Sequence, residues 1–113
     1  MRWSVVTYGP VVDAEIKALP DDMRQQLARL FSIIRAVGLQ GLPAKSVKHL
    51  EDKLWELRIT GRDGISRVIY VTLTGRRVML LCAFVKKQQK TPKAELSLAR
   101  KRLAHIIQDR SRN

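Results

Sequence analysis

Residues 81–92 read LCAFVKKQQKTP, and this stretch decides the fold of the chain. Its first five residues continue an apolar run that begins at Val78, so both faces of the strand are apolar. Such a strand is typical of the centre of a sheet that is covered on each side. Three lysines follow, and Thr91 and Pro92 then predict a helix start, with a hydroxyl N-cap and proline at the first helical position. We therefore expect the lysines between a central strand and a helix.

Two further strands are predicted directly upstream of this one. Residues 54–60 alternate between apolar and polar side chains, and residues 65–73 form the next strand after a turn at 61–64. A second tight turn at 74–76 leads to the third strand, at residues 78–85. The three strands are expected to form an antiparallel meander. They and their turns carry four arginines: Arg58, Arg62, Arg67 and Arg76.

The first third of the chain predicts one strand and two helices. Residues 2–8 are rich in β-branched and aromatic side chains, which favours a strand. A short helix is predicted over residues 11–19, and a longer one follows from residue 20, with apolar residues at spacings of four and three. Residues 38–46 contain two glycines and a proline, and they predict a loop.

The last helix is predicted to begin at Pro92, and the tail from residue 109 to 113 is expected to fray. The whole chain, residues 1–113, is thus expected to be one domain of the α+β class. Its predicted order is strand, helix, helix, three-strand antiparallel meander, C-terminal helix.

The net charge of +12 is distributed unevenly along the chain. Residues 1–44 carry a net charge of +1, with five Lys/Arg and four Asp/Glu, whereas residues 45–113 carry +11, with seventeen and six. A basic half on a small domain is typical of nucleic-acid binding, because cations neutralise phosphates and release counterions. A solubilising surface would intersperse both signs. We therefore expect RNA or ribosome contact, and an acidic protein partner could cover the same surface.

Composition excludes several other classes. Apolar residues make up 45% of the chain, too many for a disordered protein. No apolar run has the length of a membrane span, and we see no signal-peptide core, so a soluble, cytoplasmic protein without membrane partners is expected. Cys82 is the single cysteine and is expected to be a small buried residue. Two distant histidines, one cysteine and scattered acids predict neither a metal site nor a cofactor.

Three segments of the chain are similar to the RelE/HigB toxins, most of all to the phage-derived, HigB-type branch. They are residues 50–58 (LEDKLWELR), 67–70 (RVIY) and 84–92 (FVKKQQKTP). Each is short, but their order and spacing together make the resemblance specific.

This resemblance implies the toxin of a type II toxin–antitoxin pair with a RelE-like fold. Such toxins are endoribonucleases that enter the ribosomal A site and cut mRNA there. The ribose 2′-hydroxyl attacks the adjacent phosphodiester and leaves a 2′,3′-cyclic phosphate. The implied partners are the ribosome, mRNA and a cognate antitoxin, commonly a helix-turn-helix protein.

The candidate catalytic residues follow from the resemblance and from the needs of this reaction. Charge on a phosphorane-like transition state requires cations, and a base must accept the hydroxyl proton. Arg58 and Arg67 match the basic positions of the family, and Arg67 is the leading candidate for transition-state stabilisation. Lys86 and Lys87 match the basic pair after the last strand. Lys87 is a candidate acid or base, because neighbouring cations can lower the pKa of a lysine.

His49 is a second candidate base, since some HigB-type toxins have a histidine in the site. The segment after the lysine pair lacks the tyrosine of the RelE pattern, which leaves the base open. Further cations are candidate contacts with RNA or the ribosome: Lys45, Lys48, Arg62, Arg76, Lys90 and Lys93.

Other interpretations of the same residues stay open at this point. Arg67 could be a solvated cation or form a salt bridge with Glu56, and the lysines after the strand could only confer solubility. The chain as a whole could be a non-catalytic RNA- or DNA-binding module, or an inactive phage-derived relic that still binds an antitoxin.

Overall fold

The structure, a computed structural model, describes residues 2–86 and 91–112, with side chains of the last helix described as far as Asp109. It shows the predicted α+β architecture. The strands are β1 (Ser4–Thr7), β2 (Val47–Glu51), β3 (Leu54–Gly61), β4 (Gly64–Leu73) and β5 (Arg77–Lys86). The helices are α1 (Pro10–Lys17), α2 (Asp21–Val37) and α3 (Lys93–Arg112), with 3-10 turns at Leu39–Gly41 and Ala44–Ser46.

The strands form a five-stranded sheet in the order β1-β5-β4-β3-β2. The β1 strand runs parallel to β5, and the other neighbours are antiparallel. The predicted central position of the apolar strand is confirmed, because β5 lies between β1 and β4. The sheet therefore has its most apolar strand in its interior, and β2, which carries Lys48, His49 and Glu51, at an edge.

Each face of the sheet has its own core. On one face, α1 and α2 contribute residues such as Val12, Met23 and Ile34, which pack against Leu57 and Leu80. On the other face, α3 contributes Ala99, Leu96 and Leu103 to a smaller core. Cys82 lies in this second core, fully buried as predicted, and burial raises the pKa of its thiol to about 12. The helices thus divide between the two faces, and α3 has one face to itself.

The prediction of a three-strand meander was incomplete. Residues 47–51 form β2, which pairs with β3 through Val47 and Leu57 and through Lys48 and Glu56. The sequence VKHLE lacks a clear alternation, and as an edge strand it depends on its neighbour for pairing. Lys48 and His49 therefore lie in a strand and not in a loop, and their side chains point to opposite faces.

A β-bulge in β5 changes which side chains face which helix. Ile69 pairs with Cys82 but Tyr70 pairs with Leu80, so Leu81 is an extra residue in β5. Before the bulge, Val78 and Leu80 face the α1 and α2 side. After it, even-numbered residues face α3, and Lys86 lies on that face.

The start of α3 differs from the prediction in one detail. The helix begins at Lys93, and the carbonyl of Pro92 accepts a hydrogen bond from the Leu96 amide at 3.1 Å. Pro92 thus occupies the cap position, and the Thr91 hydroxyl bonds elsewhere. At its other end the helix continues to Arg112, beyond the start of the tail expected at residue 109. No helix within the described ranges combines the length and apolar character needed to cross a bilayer.

Candidate functional site

Three cations from three adjacent strands share the α3 face of the sheet. Arg58 of β3 and Arg67 of β4 are directly opposite each other in register. Lys86 of β5 follows Cys82 and Phe84 on the same face, and Phe84 pairs with Arg67. We call Arg58, Arg67 and Lys86 the basic cluster. They meet because two antiparallel pairings and the bulge place their side chains on one side.

The basic cluster surrounds a buried carboxylate, that of Glu56. Its side chain is 0% exposed, and Oε1 accepts a hydrogen bond from Nη1 of Arg67 at 2.5 Å. The Nε atom of Arg58 lies 3.7 Å from the same oxygen. The other oxygen, Oε2, accepts a hydrogen bond from the Thr91 hydroxyl at 2.7 Å. One negative charge therefore faces three positive ones, and the site keeps an excess of positive charge.

Several donors of the basic cluster have no hydrogen-bond partner within the described part of the chain, although Nε of Arg58 is in ion-pair range of Glu56. They are Nε of Arg58, Nε of Arg67 and Nζ of Lys86, all of them buried. Buried polar groups without a hydrogen bond are costly to a fold, and they persist mainly where function requires them. An anion with several oxygen atoms, such as a phosphodiester, would satisfy all three.

Lys86 has an environment that shifts its protonation equilibrium toward the neutral amine. Its side chain is 6% exposed, and burial lowers the pKa of its ammonium group, with Arg67, Arg58 and Lys48 adding repulsion. The charge of Glu56 acts in the opposite direction and raises this pKa. A lysine with a lowered pKa can accept a proton at a pH closer to neutrality.

A concavity of about 390 Å³ opens beside Arg58 and Arg67. Its wall includes the side chain of Lys45, which precedes the edge strand, and Thr60 and Ile65 lie at its far end. Lys48 lies on the same face, paired in register with Glu56, and it is exposed. The concavity thus gives solvent access to the arginines and is flanked by two further cations from the β2 edge.

The structure does not bring His49 to the basic cluster. His49 pairs with Trp55 in register, on the face opposite to Glu56, and the two rings are 4.7 Å apart. Its Nε2 atom is 2.7 Å from the Asp52 carbonyl oxygen, within hydrogen-bonding distance. His49 is therefore separated from Arg67 by the thickness of the sheet.

The remaining predicted contacts are spread around the molecule. Arg62 is exposed in the β3–β4 turn, where its backbone amide donates a hydrogen bond to Asp22 at 2.6 Å. Arg76 lies in the β4–β5 turn, at the other end of those strands from the cluster. Lys93 is exposed at the first residue of α3. Lys87 and Lys90 lie outside the described residues, and their roles stay predictions.

Sequence reasoning named Glu56 only as a possible partner of Arg67, and it read Thr91 as a helix cap. In the structure these two residues connect the sheet to the start of α3. A carboxylate in an otherwise apolar strand, two residues before an arginine, was the available signal for Glu56. No local signal indicated that the Thr91 hydroxyl would bond to a residue 35 positions away. Within the described residues, His, Cys, Asp and Glu side chains do not gather into a group that could hold a metal ion.

Comparisons with known proteins agree with this architecture. The family model described as "Phage derived protein Gp49-like (DUF891)" matches residues 14–104, which include the whole basic cluster, Glu56 and Thr91. Two curated relatives come from Mycobacterium tuberculosis, strains CDC 1551 / Oshkosh and ATCC 25618 / H37Rv, and each is named "Probable endoribonuclease HigB1". Each is 33% identical to this chain over 90 residues, which is 80% of this chain and 69% of the relative. The chain belongs to the Gp49-like family of phage-derived proteins and is a HigB-type member of the RelE/HigB toxins.

Proposed function

We propose that this protein is an endoribonuclease toxin of a type II toxin–antitoxin pair, which cuts mRNA in the ribosomal A site. The observation that carries the proposal is the basic cluster: three cations from adjacent strands, on one face, with a single carboxylate to offset them. The similarity to relatives named as probable endoribonucleases supports the same reading.

Arg58 and Arg67 would bind the phosphate that is cut. Attack by the 2′-hydroxyl concentrates negative charge on the phosphate oxygens, and fixed cations in a partly dehydrated site stabilise that charge. A planar guanidinium group can donate two hydrogen bonds to two phosphate oxygens at once. Both arginines have a buried Nε without a hydrogen-bond partner within the described residues, so each has donor capacity for the substrate.

Lys86 would accept the proton of the 2′-hydroxyl. Its lowered pKa increases the fraction of neutral amine, and its Nζ lacks a partner among the described residues. This assigns to Lys86 the proton transfer that the sequence suggested for Lys87, whose structure is outside the described ranges. His49 is left out of the reaction, because it lies on the opposite face of the sheet.

The exposed cations around the site would hold RNA and the ribosome. Lys45 and Lys48 flank the concavity, and Lys93 lies close in sequence to Thr91, at the start of α3. We expect Arg62, Arg76 and Lys90 to contribute to the same electrostatic attraction at longer range. The proposed cycle needs no metal ion, takes place in the cytoplasm, and is stopped by a cognate antitoxin of the helix-turn-helix type.

Cleavage by purified protein tests this proposal. The protein, before and after EDTA treatment followed by desalting, is incubated with mRNA on translating ribosomes and, separately, with the same mRNA alone. We expect cuts on the ribosome that leave a 2′,3′-cyclic phosphate, with little cleavage of free mRNA and equal rates for EDTA-treated and untreated protein. Lys86→Met should abolish the cuts, while Lys101→Met, at an exposed position on α3, is the matched control.

Three outcomes would contradict the proposal in different parts. Equal cleavage of free and ribosome-bound mRNA would overturn the dependence on the ribosome. Binding without cleavage would favour the non-catalytic module or the inactive relic. Growth arrest on expression that the neighbouring gene does not relieve would contradict the toxin–antitoxin pairing.

A further inference from the structure

Glu56 stands out among the carboxylates of the chain because it is fully buried and both of its oxygens are occupied. Oε1 accepts from Arg67 and Oε2 accepts from Thr91. Placing a carboxylate inside a fold costs free energy unless charges and hydrogen bonds offset it. Each oxygen thus holds a donor from a different element, Arg67 of β4 and Thr91 before α3.

We propose that Glu56 and Thr91 are a pair of positioning residues for the reaction: Glu56 sets the orientation of Arg67, and Thr91 ties the segment before α3 to the same carboxylate. This inference rests on the proposed endoribonuclease function. Neither residue touches the reacting phosphate in this arrangement, so neither is a catalytic residue.

One oxygen of Glu56 lies close to both arginines of the basic cluster. Arg58 and Arg67 are directly opposite in register, and like charges in such a pair repel each other. Oε1 of Glu56 lies 2.5 Å from Nη1 of Arg67 and 3.7 Å from Nε of Arg58, so one oxygen offsets both. A hydrogen bond at one end of a planar guanidinium group fixes its plane, and the Nε at the other end then points in a defined direction.

Thr91 binds the other oxygen of the Glu56 carboxylate. Its hydroxyl bonds to Oε2 from the opposite side of the carboxylate and links β3 to the chain just before Lys93, where α3 begins. Lys86 at the end of β5 and Thr91 before α3 are thus both close to Glu56. Removing the hydroxyl would free the carboxylate to rotate, and Arg67 would lose its fixed orientation while keeping its charge.

Glu56 also sets the protonation of Lys86. Its negative charge raises the pKa of Lys86 against the lowering by burial and by Arg67. Neutralising Glu56 therefore lowers that pKa further. If neutral Lys86 accepts the proton, the rising limb of the pH–rate profile moves to lower pH in a Glu56→Gln variant. An unmoved limb would contradict this electrostatic effect of Glu56 on Lys86, while the orientation of Arg67 is tested separately below.

Thr91 gives the cleaner test, because Thr91→Val keeps the shape of the side chain and removes only the hydroxyl. We expect kcat on ribosome-bound mRNA to fall by about ten-fold, as for loss of a hydrogen bond to a charged group, with KM within about two-fold. Thr91→Ser should restore kcat. Thr72→Val, at an exposed threonine of β4 on the other face, is the matched control. An unchanged kcat in Thr91→Val would overturn the role of Thr91.

Glu56→Gln tests the other member, with Glu51→Gln at the surface ion pair with Arg100 as control. NMR titration of the Lys86 side chain should show a lower pKa in Glu56→Gln and no change in Glu51→Gln. An unshifted Lys86 titration would overturn the electrostatic effect of Glu56 on Lys86. An Arg67 Nε–H signal as ordered in Glu56→Gln as in the wild type would overturn the role of Glu56 in orienting Arg67.

These measurements separate the inference from the proposed function. If the wild-type protein cuts no RNA, the endoribonuclease proposal fails, but the Nε–H signal of Arg67 can still be followed. We expect that signal to become more mobile in Thr91→Val and to recover in Thr91→Ser. A signal that is identical in all three proteins would overturn the positioning pair whatever the activity, and Thr91→Val serves if Glu56→Gln fails to fold.

Discussion

Two arginine–glutamate pairs lie mostly away from solvent: Arg67 with Glu56, and Arg102 with Glu15. They differ in whether each buried donor has a hydrogen-bond partner. Arg102 of α3 donates to Glu15 of α1 and to the Leu81 carbonyl at 2.7 Å, and its guanidinium carbon lies 5.6 Å from the centre of the Tyr8 ring. Glu15 in turn accepts the amide hydrogen of Ala83 at 2.9 Å. No buried nitrogen or oxygen of this pair lacks a partner, whereas Nε of Arg67 does among the described residues.

The two pairs therefore have different consequences for the molecule. Arg102 and Glu15 satisfy each other and cover backbone groups of β5, so they join three elements into one body. Arg67 and Glu56 belong to a group with surplus positive charge and surplus donors. A buried ion pair alone indicates neither stability nor function. The two pairs are distinguished by their buried donors without a hydrogen bond, which among the described residues occur beside Glu56 and not beside Glu15.

The largest expected effect is on the cleavage rate, and it should distinguish the two pairs. Arg67→Met should lower the cleavage rate on ribosomes by about 10³-fold, because one preorganised donor to the transition state is lost. Arg102→Met should leave the rate per folded molecule within about two-fold. Single-turnover cleavage, with the folded fraction measured by circular dichroism, checks both. Equal losses in the two variants would show that the pairs do not differ in function.

The next effect appears in stability. Arg102→Met should lower the free energy of unfolding by about 2 kcal/mol, since it leaves the Glu15 carboxylate and the Leu81 carbonyl without their donor. Urea unfolding at neutral pH measures this change. A loss that Glu15→Gln does not reproduce in the same direction would contradict the shared role of the pair.

A smaller effect should depend on pH and come from Lys86. Burial lowers its pKa, so the folded protein disfavours the protonated lysine that the unfolded chain retains up to its ordinary pKa of about 10.4. This free-energy cost of folding with a protonated Lys86 is fully present below the pKa of the folded state. It disappears as pH rises toward the pKa of the unfolded chain. Lys86→Met should therefore stabilise the fold by about 1 kcal/mol at neutral pH, and the gain should shrink by pH 10.

Urea unfolding of wild type and Lys86→Met at three pH values would test this prediction. A gain that is constant with pH would mean that packing of the methionine, and not removal of a charge, is its cause.

The smallest effect is expected at the exposed pair of Glu51 and Arg100. Arg100 holds the pKa of Glu51 below its ordinary value through a direct hydrogen bond. Both side chains are in contact with solvent, where such a pair contributes little to stability and is screened by salt. Arg100→Ala should leave the urea midpoint unchanged within error. A clear destabilisation would mean that α3 depends on this contact more than its exposure implies.

Much of the fold could be predicted because it depends on local patterns. The stripe of α2 and the apolar run of β5 both indicate burial directly, and the structure agrees with both except at their last residues, Val37 and Val85, which are exposed. The β2 strand could not be predicted in the same way, since residues 47–51 form a strand only through pairing with β3. The parallel contact of β1 with β5 joins residues more than 70 positions apart, and no local pattern encodes it.

The candidate site was predictable in its parts and not in its arrangement. Alternation predicted Glu56 and Arg58 on one face, and the meander predicted Arg67 on the neighbouring strand. The register that places Arg67 directly opposite Arg58 comes from the structure. The bond between Thr91 and Glu56 depends on where α3 starts in space. The face of Lys86 depends on the bulge, and alternation counted from Val78 without an extra residue would put Lys86 on the α2 side.

Because Leu81 is an extra residue, the alternation of β5 changes at this point: even-numbered side chains face α1 and α2 before it and α3 after it. Val78 and Leu80 therefore pack against α1 and α2, whereas Lys86 lies on the same face as Arg67. The number of residues between these segments is consequently as important as their chemistry. The same sequence paired without the bulge would keep every cation of the site, yet Val85 would take the place of Lys86 opposite Ile65 and Lys86 would turn toward α2. A lysine at the end of β5 can therefore belong to the site only because the bulge places its side chain on the face of Arg58 and Arg67.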